Sequence, residues 1–127
     1  MKKIFLLLIC CVLFIACFFS FVLHRMHTHN TSISVRENAD SYQFYASYNR
    51  NKMLRLQKYM DARFNLHHFL KNNRMHETIT LDDQTSFYIR TSPGILYIRL
   101  DKNDNDFQSY ARIKRIGEEI KQKLAEN

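Results

Sequence analysis

Residues 4–23, IFLLLICCVLFIACFFSFVL, carry no charge, and Ser20 is their one polar side chain. Wound as a helix they reach roughly 30 Å, the thickness of a bilayer's hydrocarbon core. A helix at the surface of a soluble core keeps a polar stripe, and this stretch has none. It is expected to be a transmembrane helix.

After this stretch the pattern breaks into short periods. Tyr42, Phe44, Ala46 and Tyr48 alternate with Gln43, Tyr45 and Ser47, the period of a half-buried strand. Asn49 is placed to cap a helix. From Arg50 to about Phe64, Met53, Leu56, Met60 and Phe64 recur at spacings of three and four, which predicts an amphipathic helix with methionines in its core face. Asn65 is placed to end it, and Leu66, Phe69 and Leu70 suggest a further short helical turn.

Three strands are expected next. Ile79 and Leu81 share one face of the first, Phe87 and Ile89 of the second, and Leu96, Ile98 and Leu100 of the third. Asp82-Asp83-Gln84 and Ser92-Pro93-Gly94 are turns between them; Gly94 can take the positive φ of a type II turn, so the three strands form an antiparallel meander. Phe107, Tyr110, Ile113, Ile116, Ile120 and Leu124 then mark the buried stripe of a last helix, with Asp104 to Asp106 offering its caps.

The fold class that follows is α+β: an N-terminal transmembrane helix, then a small β-α-β-β-β-α domain whose antiparallel sheet carries both helices on one face. The chain divides into a basic n-region at 1–3, a signal anchor at 4–23, a polar tether at 24–40 and the α+β domain at 41–127.

Lys2 and Lys3 ahead of the apolar run give the start of the chain the form of a bacterial export signal. Three fates compete. Cleavage needs a small-x-small site, which FSFVLHRMH does not offer. Lipidation at Cys17 needs a small residue before the cysteine, which Ala16 supplies, but the residues after Cys17 stay apolar. An uncleaved anchor uses the whole apolar length. The basic start favours a cytoplasmic amino end, and so places the domain outside the cytoplasm, in an envelope or periplasmic setting.

Composition narrows the chemistry. The net charge is +7, and all three cysteines, Cys10, Cys11 and Cys17, lie in the apolar run. The domain therefore has neither a disulfide framework nor a thiolate zinc site. His24, His27 and His29 sit beside the apolar run without a scaffold to hold them as ligands. Asp101, Asn103 and Asn105 match the opening of a calcium loop, but Asp106 stands where glycine is needed and Arg112 where glutamate is needed. No metal and no cofactor are expected. No convergent acids or nucleophile–base pair are visible, so no catalytic residue is assigned and the protein is read as non-enzymatic.

The candidate chemistry lies on the sheet face away from the helices. Alternation places Tyr45, Tyr88, Arg90, Tyr97 and Arg99 there, with Gln43 and Thr80. Tyrosine and arginine are enriched where proteins bind partners. The expected function is a membrane-anchored envelope protein whose domain binds or helps assemble a protein partner. The alternative is an anionic ligand, a polysaccharide or lipid headgroup, on the same basic, tyrosine-rich face. The strand order and motif of an RNA-binding sheet are missing, which argues against nucleic acid.

If the anchor is uncleaved, the intact mass of the membrane-purified protein includes Met1 or its near neighbours. A chain beginning at a lipidated Cys17 would overturn the anchor in favour of the lipoprotein.

Overall fold

The structure is a computed structural model and describes residues 1–4, 31–67 and 69–126. The chain divides into two units, Met1–Asn30 and Thr31–Asn127, and the fold belongs to the second. Cys17, the three histidines of residues 24–29 and all of the apolar run after Ile4 lie outside the described residues. Among the described residues, no helix is long and apolar enough to cross a membrane.

Five strands and two helices make up the domain: β1 (Ser32–Glu37), β2 (Ser41–Ser47), α1 (Met53–Phe64), β3 (Met75–Thr80), β4 (Ser86–Ser92), β5 (Ile95–Asp101) and α2 (Phe107–Ala125). The fold is α+β, as the patterning predicts. The strands form one antiparallel sheet in the order β1-β2-β5-β4-β3. The meander of β3, β4 and β5 is present, with Gly94 at φ 84° in the second turn. β2 joins its free side, in the register Tyr42↔Leu100, Phe44↔Ile98 and Ala46↔Leu96. These six inward side chains are all at most 1% exposed.

Both helices cover the inward face. Asn49 caps a short 3-10 turn, Arg50–Lys52, that leads into α1. Leu56, Met60 and Phe64 of α1 are buried, and the Phe64 ring lies 4.9 Å from that of Phe87 on β4. Asn65 ends the helix in the left-handed conformation, at φ 54°. The helices run antiparallel and are laced by Tyr59, which donates to Glu119, and by Arg63, 2.9 Å from the same carboxylate. Asp106 caps α2, accepting from the Ser109 amide at 2.7 Å.

The polar tether needs a correction. Ser32–Glu37, assigned to it by the sequence, is the edge strand β1, paired with β2 from Ser32↔Ser47 to Glu37↔Tyr42. An edge strand is wet on much of its surface: Ile33 is half-buried and Val35 is 42% exposed, so little apolar signal reaches the sequence. Backbone pairing holds it, and so does Glu37. That carboxylate accepts from the Tyr110 hydroxyl, from Lys114 at 3.0 Å and from Lys102 at 3.2 Å.

Two smaller expectations also change. Phe107 is 78% exposed and lies beside Tyr110, because it is the first residue of α2, ahead of the turn that begins the buried stripe. Residues 65–67 and 69–74 hold turns and bends instead of a further helical turn. There the buried Asp61 carboxylate accepts from the Phe69 and Leu70 amides, both at 3.0 Å, and this fixes Phe69 in the core.

α2 crosses β2 at Gly117, and the approach is close. A Cβ there would collide with the Tyr42 hydroxyl and lie 3.3 Å from Phe44 Cδ2. That hydroxyl is buried without a partner among the described residues. Burial, then the charges of Glu118 and Glu37, push its pKa up to about 12. Gly117→Ala should lower the melting temperature despite alanine's better helix propensity. Tyr42→Phe removes an unpaired hydroxyl together with the first obstacle, so on its own it should be neutral or stabilising. In that background Gly117→Ala should cost at least about 0.5–1 kcal/mol less, a coupling read from the four melting curves of a double-mutant cycle.

The hydroxyl of Tyr110 and the amines of Lys114 and Lys102 hold the Glu37 carboxyl down from 4.5 to about 2. A depressed carboxyl stabilises the fold above its unfolded pKa, and that contribution is lost as pH falls through the folded value. Thermal melts taken from neutral pH downward should therefore lose stability between about pH 4.5 and about pH 2. Glu37→Gln should be less stable at neutral pH, and the gap between it and the native protein should close across that window.

Candidate functional site: the open sheet face

Among the residues facing away from the helices, two rows run across all five strands. Cross-strand pairs in the first are Arg36↔Gln43, Gln43↔Arg99, Arg99↔Tyr88 and Tyr88↔Thr78. In the second they are Ser34↔Tyr45, Tyr45↔Tyr97, Tyr97↔Arg90 and Arg90↔His76. Directly opposed side chains lie about 5 Å apart at Cβ, close enough to touch. The five residues singled out by alternation, Tyr45, Tyr88, Arg90, Tyr97 and Arg99, all lie within these two rows, on three adjacent strands.

Tyr97 is at the centre. Its ring meets Tyr88 edge-on, with centroids 6.1 Å apart and planes at 63°. The Arg90 guanidinium lies 5.7 Å from the same ring, within cation–π range. The Tyr97 hydroxyl is 3.4 Å from the Gln43 side-chain oxygen, a long hydrogen bond across the β2–β5 seam. The three tyrosines are half-buried by one another and by their neighbours, while Arg90 and Arg99 are exposed.

Two hollows flank Tyr97. The larger, about 430 Å³, is bounded by Tyr88, Tyr97, Thr78 and Arg99 and extends to Asp101 and Asp104. The smaller, about 260 Å³, lies among Ser34, Arg36, Gln43, Tyr45 and Tyr97. Both are open depressions on a sheet. Among the described residues, Arg36, Arg90 and Arg99 form no ion pair with a carboxylate.

Sequence reasoning missed Arg36 and Ser34 because β1 was assigned to the tether. The signal was two residues long: Ile33 and Val35 alternate with Ser34 and Arg36. His76 was missed because β3 begins at Met75, ahead of Ile79, the first residue the alternation marks in it. Asp101 and Asp104 come to the larger hollow through the loop that resembles a calcium site. Asn105 organises that loop: its side chain accepts from the Ser86 amide at 2.8 Å and donates to the Asp101 and Ser86 carbonyls at 2.8 and 2.9 Å. Among the described residues, no three of His, Cys, Asp and Glu converge as metal ligands would.

The arrangement offers aromatic area with polar tips, guanidinium groups for carboxylates, and an open edge-to-edge surface. It is suited to contact with a partner. No protein-family model, curated protein or solved structure matches this chain.

Proposed function

We propose that this protein is a non-enzymatic, membrane-anchored envelope module whose open sheet face binds a protein partner. Residues 4–23 serve as an uncleaved transmembrane anchor, and the α+β domain lies outside the cytoplasm. The observation that carries the reading is the cluster at Tyr97. Tyr45, Tyr88, Arg90 and Arg99 surround one aromatic ring on a face that no helix of the described residues covers. Buried in an interface, such tyrosines supply much of the binding energy, and arginines beside them fix the register.

The alternative, a purely anionic ligand, fits less well. Asp101 and Asp104 border the larger hollow together with Arg99, so the face presents both signs of charge. Mixed charge suits a protein surface; a polyanion would be repelled at that end.

The test is a photocrosslinking residue at position 97, and in a second protein at Arg115 on the exposed side of α2, both in the full chain in its native membranes. The site predicts a defined protein adduct from position 97 alone. Substituting Tyr88→Ser with Arg90→Ala should remove it while the melting temperature changes little. Identical adducts from positions 97 and 115, or an adduct indifferent to Tyr88 and Arg90, would sink the proposal.

A further inference from the structure

The topology sorts charge to the two ends of the domain. At one end lie the β1–β2 turn with Glu37 and Asp40, the β3–β4 turn with Asp82 and Asp83, and the β5–α2 loop with Asp101, Asp104 and Asp106. The cations that meet them are Lys102 and Lys114, both at Glu37, and Arg112 at Asp83, so the carboxylates of these turns outnumber the cations. At the other end, Arg50 and Lys52 occupy the turn into α1 and Arg55 its first turn. Arg74 directly precedes β3, and Lys121 and Lys123 lie near the end of α2. Glu126, at this end, lies 4.0 Å from Lys123.

These cations belong together because the elements that carry them meet. Tyr48 donates to the Gly94 carbonyl at 2.9 Å, which joins the start of the α1 segment to the β4–β5 turn. Met75 pairs with Thr91, beside that turn. Lys52 donates to the Leu124 carbonyl at 2.7 Å and Arg55 to the Glu126 carbonyl at 3.1 Å, which bring in the end of α2. Arg50, Arg74 and Lys121 are exposed and have no carboxylate partner among the described residues. Leu54, the second residue of α1, is 55% exposed at the same end of the domain.

The chain enters the fold at this basic end, because Ser32 opens β1 opposite Ser47, two residues before Asn49. We infer that the basic end docks on anionic lipid headgroups of the bilayer, with Leu54 reaching the interface. A lipid surface is the occupant that the placement favours. It is extended and negatively charged, and it is the surface the preceding apolar run points to; this last argument rests on the anchor proposed above. Basic residues beside a bilayer are drawn to anionic headgroups, and the acidic far end is repelled, so the domain is held in one orientation. The open sheet face then stands at the side of the domain, free for a partner.

The chain contains no tryptophan, so a single one is a clean reporter. Leu54→Trp and, at the acidic end, Phe107→Trp are made separately in the full chain. Each is reconstituted into nanodiscs containing brominated phosphatidylcholine, with or without phosphatidylglycerol. The indole at position 54 should be quenched only with phosphatidylglycerol, and the quenching should fade as salt rises. The indole at position 107 should stay unquenched throughout. Adding Arg50→Glu, Arg74→Glu and Lys121→Glu should abolish the quenching at position 54, since each cation removed weakens docking roughly five-fold.

Equal quenching at positions 54 and 107, or none at position 54 in anionic discs, would overturn the inference. So would quenching that survives both the triple substitution and high salt. If the triple variant misfolds, the salt series on the Leu54→Trp protein decides alone. Elution with neutral discs reports the anchor separately. A chain that fails to enter them but shows quenching at position 54 on added anionic vesicles would refute the anchor and leave the docking intact. A concentration-dependent shift of the position-54 emission without lipid would instead assign the basic end to the acidic end of a second copy.

Discussion

The sheet is one sheet because β2 pairs with β5. Without that seam, the β1–β2 hairpin and the β3–β4–β5 meander would be separate pieces, and a two-stranded hairpin is at best marginally stable alone. The ladder runs from Ser41↔Asp101 to Ser47↔Ile95 and places six fully buried side chains back to back under the helices. It also creates the outward face, since the same register sets Tyr45 against Tyr97 and Gln43 against Arg99. Core and surface are two sides of one pairing. A slip of one residue would carry the aromatic core outward and the arginines inward, so burial of Tyr42, Phe44 and Ala46 fixes the geometry of the open face as well.

Where burial is deep, the sequence was legible. Alternation in β2, β4 and β5 and the stripes of α1 and α2 named nearly all of the core, because periodicity records which side of an element is dry. It named Tyr88, Arg90, Tyr97 and Arg99 for the same reason: the outward face is the complement of a clear inward one. It failed at β1, where backbone pairing and one carboxylate do what apolar side chains do elsewhere. Glu37 is read from its own neighbourhood as a tether residue, yet its partners Lys102, Tyr110 and Lys114 come from much later in the chain. A local pattern cannot register a contact of that range.

Short polar side chains do much of the joining. Asp61 holds the segment after α1 by two amides, and Asn105 ties β4 to the end of β5. The buried hydroxyls of Thr85 and Ser109 meet at 2.8 Å between the β3–β4 turn and α2. Each satisfies backbone or hydroxyl groups that the core would otherwise leave unpaired, at a net worth of about 1 kcal/mol and a larger cost if broken. In Asp101 to Asp106 the residues that imitate a calcium loop are used in this way, as turn formers and a helix cap.

The order of elements along the chain has a consequence for the domain's birth. β1 and β2 are synthesised first, yet β2's neighbour on its other side, β5, comes near the end, and α2, which covers Tyr42 and Phe44 at Gly117, comes last. Until then the hairpin has a bare apolar face and an unpaired strand edge, the state in which chains aggregate. The nascent domain cannot close from its amino end inward. It waits for α2, the helix that covers Tyr42 and Phe44, before its core can close.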